Sequence, residues 1–204
     1  MATSAVLEQP KNMVNLTPPQ DTRLTVAEFL AEYSTRKDAF KYELVNGKVL
    51  KTPRTMNREQ YYIVRNLLRH FTQTEAYKNG AELAVETDME TIPDQIRRPD
   101  VSFCTEEQIL LGDYSLSEFA IEIISPSDNF NRVFDKVDEY FEAGMKVLWH
   151  IIPEQKTVQV FYSPRLMTVF MGDEEISAVP VAPDFKMTVN DIFKKQRLAI
   201  EKNE

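Results

Sequence analysis

A glutamate in the middle of an apolar run constrains this chain more than any other feature. The run is Phe119-Ala120-Ile121-Glu122-Ile123-Ile124, and a short apolar segment of this kind predicts a central strand that is buried on both faces. An ionised carboxylate is costly to bury unless a positive group meets it. Any fold of this chain must therefore supply a cationic partner for Glu122.

A second acid, Asp100, follows Arg98-Pro99 at the start of a strand predicted over residues 100–104. Pro99 lacks a backbone N–H, which confines it to the start or edge of a strand, so the Asp100 carboxylate should emerge where the strand begins. Strands that are consecutive in sequence are usually neighbours. We predict that Asp100 and Glu122 converge and share a divalent metal. Taken alone, Glu122 could instead pair with an Arg or Lys, and Asp100 could cap a turn.

The side chains available as ligands narrow the choice of metal. The 204 residues include one cysteine, Cys104, and two histidines, His70 and His150. One cysteine excludes an internal disulfide and a cysteine-rich zinc site, and it is typical of the reducing cytoplasm. Carboxylate oxygens favour Mg²⁺ or Mn²⁺. His150 alternates with Trp149, a predicted core residue, so it is expected to point outward without a role.

The predicted elements indicate one mixed α/β (α+β) domain over residues 21–204, preceded by a loose, proline-containing tail over residues 1–20. Capping-box spacing in Thr25-Val26-Ala27-Glu28 predicts a short helix. Asn46-Gly47 between the strand-like runs 42–45 and 48–51 predicts a hairpin. The later elements are a helix over 57–78, strands over 83–91, 100–104 and 119–124, a helix over 131–143, a strand over 146–152, a hairpin of 157–162 and 166–171, a strand over 176–181, and a helix capped by Asn190 that runs to residue 201.

Basic residues on the two long helices are candidates for contacts with an anionic partner. Lys136 lies about a quarter-turn from the inward stripe of its helix, so its ammonium could reach a site at the sheet edge; alternatively it forms a surface salt bridge with a neighbouring acid. Arg58, Arg65 and Arg69 form a separate stripe on the first long helix. That stripe is either a solvated face or a phosphate-contacting one. A net charge of −8 disfavours a nucleic-acid interface spread over the whole surface.

The order and spacing of these motifs resemble the PD-(D/E)xK nuclease superfamily and, within it, the Uma-type putative restriction endonuclease family, which is abundant in bacterial genomes. The motifs that carry the resemblance are Tyr42-Glu43-Leu44-Val45-Asn46-Gly47, Arg98-Pro99-Asp100-Val101, Glu122-Ile123-Ile124-Ser125-Pro126-Ser127, Lys136 with Tyr140, Ala143-Gly144, and Trp149 with Pro153.

The resemblance implies a restriction-endonuclease-like core of helix-strand-strand-strand-helix-strand order, extended by an N-terminal helix and hairpin and by C-terminal strands. It also implies that Asp100 and Glu122 bind the metal and that Glu43 joins the acidic cluster. The superfamily's usual lysine position is occupied by Ile124, and Lys136 matches the helix-borne lysine of the Uma-type pattern. Other departures from that pattern are Asn57, Arg132 and Ile152.

Together these features predict a metal-dependent endonuclease that hydrolyses phosphodiester bonds in nucleic acid, with DNA as the expected substrate. Asp100, Glu122, Lys136 and Glu43 would form the catalytic set, Mg²⁺ or Mn²⁺ the cofactor, and the arginine stripe the contacts to the nucleic-acid backbone. We expect a cytoplasmic homodimer without a membrane partner, since no apolar run is long enough to span a bilayer. The alternative is a catalytically inactive nuclease-fold protein that acts as a binding or interaction module.

Overall fold

The computed structural model describes residues 23–54, 57–113, 115–126 and 128–195. These residues form a mixed α/β fold with a six-stranded sheet, a four-stranded sheet and a two-stranded ribbon. The tail predicted over residues 1–20 lies outside the described residues. No helix in the described part of the chain is long and apolar enough to cross a membrane.

The predicted N-terminal helix and hairpin are confirmed. Helix α1 (Val26–Tyr33) begins with the capping box of Thr25 and Glu28. Strands β1 (Phe40–Val45) and β2 (Lys48–Pro53) are joined by Asn46 and Gly47, both at positive φ, which is the backbone that a tight two-residue hairpin turn requires. Strand β1 also pairs with β5 (Ile96–Arg97), and β5 pairs with β4 (Met89–Glu90), which completes the smaller sheet.

The larger sheet consists of β3 (Glu82–Val85), β6 (Val101–Cys104), β7 (Phe119–Ile123), β8 (Val147–Ile152), β9 (Thr157–Ser163) and β10 (Leu166–Met171). Its strand order is β10-β9-β8-β7-β6-β3. Strands β7 and β8 run parallel, and the other pairs are antiparallel. Every residue of β7 is buried, as its apolar sequence predicts. The strand that carries Glu122 therefore lies in the interior of the sheet.

Two long helices pack against opposite faces of the larger sheet. Helix α2 (Arg58–Phe71) shares a core with Ile121, Ile123 and Trp149. Helix α5 (Phe130–Ala143), which ends at Gly144 as predicted, shares a second core with Ala120 and Leu148. Side chains alternate along a strand, so Glu122 lies on the α5 face, and the predicted core order of helix, three strands, helix and strand is confirmed.

Several predicted boundaries are wrong. The helix predicted over 57–78 is divided into α2 and α3 (Glu75–Lys78), because Thr74 accepts a backbone hydrogen bond from Tyr77 and caps a new helix. The strand predicted over 83–91 contributes to both sheets, as β3 and β4. On α2, Ile63 lies in the core, whereas the neighbouring Tyr61 is 55% exposed.

Other elements were missed or differ in extent. Helix α4 (Glu106–Leu111), strand β5 and strand β12 (Ala182–Thr188) were not predicted. Strand β12 pairs with β11 (Glu175–Ala178), the counterpart of the strand predicted over 176–181. The last helix, α6 (Val189–Phe193), is capped by Thr188 rather than Asn190, and the predicted continuation beyond residue 195 lies outside the described residues.

Candidate active site

Asp100 and Glu122 meet where β6 and β7 lie side by side. The two strands are antiparallel, with Val101 opposite Ile121, which brings the preceding Asp100 next to Glu122 and Ile123. The Asp100 Oδ2 accepts a hydrogen bond of 2.7 Å from the backbone N–H of Ile123. Both carboxylates line one cavity of about 530 Å³. The convergence that the chain order predicts is therefore present.

Burial and neighbouring charges affect the two carboxylates differently. Burial raises the pKa of Asp100 above its ordinary value; Lys41 opposes this effect and the Glu122 carboxylate adds to it. Burial also works against ionisation of Glu122, but Lys136 and then Lys41 outweigh it and hold the pKa of Glu122 below its ordinary value. The pair is thus a concentrated negative site balanced by two lysines.

Lys136 reaches this site from α5. Its Nζ lies 3.1 Å from Glu122 Oε1 and 2.9 Å from Glu43 Oε1. Tyr140, one turn further along the same helix face, donates a hydrogen bond of 2.8 Å to Glu122 Oε1. Burial disfavours the ammonium, but Glu122 and Glu43 outweigh this cost and raise the pKa of Lys136 well above its ordinary value. The alternative of a surface salt bridge to Asp135, Asp138 or Glu139 does not describe this lysine.

Glu43 belongs to the same cluster through β1. It is 4% exposed, so it does not face water as half of a hairpin's residues do. Its Oε1 accepts a hydrogen bond of 3.1 Å from the backbone N–H of Arg98, and its Oε2 lies 3.7 Å from Arg97. Burial raises the pKa of Glu43, but Lys136, Lys41 and Arg97 together lower it to about 2. Glu43 is therefore an ionised anchor for Lys136.

Two cationic residues that the sequence analysis missed complete the network. Lys41 Nζ lies 3.2 Å from Asp100 Oδ1. The period of two along β1 places Lys41 on the same side as Glu43, so strand alternation was the signal that could have identified it. Arg97, from the two-residue strand β5, binds Glu139 of α5 through its Nε at 2.9 Å from both carboxylate oxygens. No sequence signal marked so short a strand.

His150 is the third residue missed, and the prediction that it points outward is wrong. It is buried, lies opposite Glu122 on the neighbouring strand β8 and lines the cavity. Its ring packs 4.8 Å from that of Phe161, and within the described residues its Nε2 makes no hydrogen bond. Burial lowers the pKa of His150 to about 4. The imidazole is therefore neutral at physiological pH.

This burial predicts a dependence of stability on pH. The unfolded chain takes up a proton on His150 near the ordinary pKa of 6.5, whereas the folded protein takes it up only near pH 4. The free energy of unfolding should therefore fall as the pH drops from 6.5 to about 4, by up to roughly 1.4 kcal/mol per pH unit from this residue. Urea denaturation of wild type and His150→Leu across this range measures the effect. The free energy of unfolding of His150→Leu should depend less steeply on pH than that of wild type, whereas the control His70→Leu should keep the wild-type slope. Equal slopes in all three proteins would refute the assignment.

The donor groups in the cavity suit a hard divalent cation. Asp100 and Glu122 offer carboxylate oxygens, and Mg²⁺ is commonly held by one or two carboxylates while it keeps several waters. In the described ranges, no group of three or more His, Cys, Asp or Glu side chains is placed to hold a metal ion together. Glu43 is instead occupied by Lys136 and Arg98. A cation here would therefore have two protein carboxylates, with water and substrate as its other ligands.

The arginine stripe of α2 lies outside the cluster of acids. Arg58 and Arg65 pack around the ring of Tyr62, at 5.8 and 4.9 Å from its centroid, and Arg69 is exposed. The first half of α2 borders the cavity through Gln60 and Val64. The arginines that line the cavity are Arg54, Arg97 and Arg132.

Comparisons with known proteins identify the family and the fold of the chain. The Uma2 family, described as "Putative restriction endonuclease", matches residues 26–190. Among solved structures, the chain is similar to a crystal structure described as "a putative nuclease belonging to DUF820" from Anabaena variabilis ATCC 29413, with a TM-score of 0.68 and 21% identity over 83% of this chain and 97% of that chain. At this identity the likeness concerns the fold. No curated protein matches the chain.

Proposed function

Because the chain belongs to the Uma2 family of putative restriction endonucleases, we propose that it is a metal-dependent endonuclease that hydrolyses phosphodiester bonds in DNA. One observation carries the proposal: two carboxylates from neighbouring strands, the buried Glu122 and the partly buried Asp100, converge in a cavity that also holds two lysines. Hydrolysis of a phosphodiester requires positive charge near the phosphate and an oriented water, and this set of groups can supply both.

We assign the metal-binding role to Asp100 and Glu122. When bound, Mg²⁺ or Mn²⁺ would polarise the phosphate and lower the pKa of an attacking water. The backbone N–H of Ile123 holds Asp100, and the Tyr140 hydroxyl holds Glu122, so the two carboxylates are fixed in position before any ligand arrives. Their fixed geometry is the chain's own contribution to the site.

Lys136 has the role of orienting the water or the phosphate. Its ammonium can donate hydrogen bonds in several directions, and Glu43 together with Glu122 fixes its position. Lys41, on the other side of Asp100, adds a second positive charge to the cavity. Glu43 acts through Lys136, as an anchor for its ammonium.

Nucleic acid would approach through basic residues around the cavity, because the net charge of −8 repels a polyanion elsewhere. Arg132 lines the cavity and has no ion-pair partner among the described residues. Arg58, Arg65 and Arg69 lie on α2, whose first half borders the cavity, and are our candidates for contacts to the backbone of the nucleic acid.

Incubation with supercoiled plasmid, single-stranded DNA and RNA in the presence of Mg²⁺ or Mn²⁺ tests the proposal. We expect the plasmid to be nicked or linearised and EDTA to stop the reaction. Cleavage of RNA in preference to DNA would correct the substrate. Absence of cleavage of every substrate with both metals would contradict the proposal and favour a binding module that lacks activity.

Metal binding predicts a shift in thermal stability. A ligand present at about 100 times its Kd stabilises the folded state by about 2.7 kcal/mol, which for a domain of this size raises Tm by roughly 5–10 °C. We expect Mn²⁺ to raise the Tm of wild type and of Glu118→Gln, a matched exposed glutamate just before β7. We expect no rise for Glu122→Gln. An equal rise in all three proteins would place the metal elsewhere.

A further inference from the structure

Strand β10 leaves one edge of the larger sheet open. It is the terminal strand beside β9, and five of its six residues are exposed. Leu166, Met167, Val169 and Met171 are all large apolar side chains that are at least 40% exposed. The outer edge of such a strand carries backbone N–H and C=O groups that another strand can bind.

The other sheet edges carry the features that normally prevent edge pairing. Strand β2 contains Lys48 and Lys51 and ends at Pro53, while β3 has four residues and begins with Glu82. Strand β4 has two residues, and both strands of the ribbon contain charged side chains. Charges, proline and short length each discourage pairing with another chain. Of the described edge strands, β10 is the one that has neither a charge nor a proline.

We propose that β10 is a dimerisation strand, which pairs antiparallel with β10 of a second copy across a two-fold axis. Antiparallel self-pairing sets the strand against its own sequence in reverse, so a strand that carries charges of one sign would bring like charges together. Leu166–Met171 contains no charged residue and avoids this repulsion, even though the whole chain carries −8. Neutrality of the strand thus favours a second copy over a partner that binds through charge.

The strand register supports the same partner. Met167 lies opposite Phe161, which packs in the core beneath α5, so Met167, Val169 and Met171 lie on the α5 face of the sheet. A two-fold axis normal to the sheet keeps that face on the same side in both copies. The three exposed apolar residues of one copy then adjoin the same three of the other. Pairing would therefore cover an apolar stripe as well as satisfy the open edge.

Sedimentation velocity on the full chain at micromolar concentration tests the proposal. We expect wild type to sediment with twice the chain mass of 23.7 kDa. Val169→Lys and, independently, Met171→Lys should halve that mass, because each places a charge in the apolar stripe that pairing would cover. The matched control is Val85→Lys on β3, at the opposite edge of the same sheet, where the exposed fraction of 38% is close to the 43% of Val169. The control should remain a dimer.

Circular dichroism and thermal melting of each variant separate loss of pairing from loss of folding. A monomeric wild type would overturn the proposal. A dimer that survives both substitutions in β10, with the fold intact, would also overturn it and place the interface elsewhere. The mass is independent of nuclease activity, so neither result depends on the proposed function.

Discussion

Asp100→Asn and Glu122→Gln are each expected to reduce metal-dependent plasmid nicking by at least about 100-fold, the scale of losing one preorganised electrostatic group from an active site. Both substitutions keep the size of the side chain and remove its charge. The amide oxygen introduced at each position can still accept the hydrogen bond that the carboxylate accepts, from the Ile123 N–H or the Tyr140 hydroxyl, so the surrounding structure should persist. The measurement is the initial rate of conversion of supercoiled plasmid to the nicked form, at a fixed concentration of Mg²⁺ or Mn²⁺.

Glu118→Gln is the matched control for this experiment. Glu118 lies just before the same strand, but its side chain is exposed and lies 4.0 Å from its ion-pair partner Lys146, away from the cavity. It should retain the wild-type rate. Nicking that persists in both Asp100→Asn and Glu122→Gln would show that the activity comes from another site or from a contaminating nuclease.

The meeting of the two acids was predictable because it depends on local rules. An apolar run around Glu122 indicates a central strand, Pro99 places Asp100 at a strand start, and consecutive strands tend to be neighbours. Helical periodicity also placed Lys136 close enough to reach them. These residues lie on long elements whose period and ends are visible in the sequence.

The positions of Lys41 and Arg97, the cationic residues that contact Asp100 and Glu139, depend on more than local rules. Alternation along β1 places Lys41 on the side of Glu43, but Lys41 meets Asp100 because the four-stranded sheet packs beside the six-stranded one, and no local pattern specifies that packing. Arg97 lies on a strand of two residues, too short for periodicity to identify. His150 is buried because α5 and β9 cover its face of the sheet. Alternation along one strand predicts which residues share a face, but it does not predict that both faces are covered.

Arg97→Met is expected to lower the free energy of unfolding by about 3–5 kcal/mol, the usual cost of removing one partner from a buried ion pair. Arg97 joins the two sheets: it extends from β5 of the smaller sheet to Glu139 on α5, which packs on the larger one. Thr91 also donates a hydrogen bond to Glu139. Without the guanidinium, the buried Glu139 carboxylate would have to remain charged without its main partner or take up a proton. Urea denaturation at neutral pH measures the loss.

Removing both partners distinguishes an unpaired buried charge from lost packing. Arg97→Met combined with Glu139→Leu should recover most of the lost stability, because replacing both members of a buried pair with apolar residues is often neutral or stabilising. Glu43 would keep Lys136 as its partner in the double variant. The exposed pair of Lys146 and Glu118 provides the control, since Lys146→Met should change stability by no more than about 1 kcal/mol. If the double variant is as unstable as Arg97→Met, packing of the arginine stem, rather than the charge left on Glu139, holds the two sheets together.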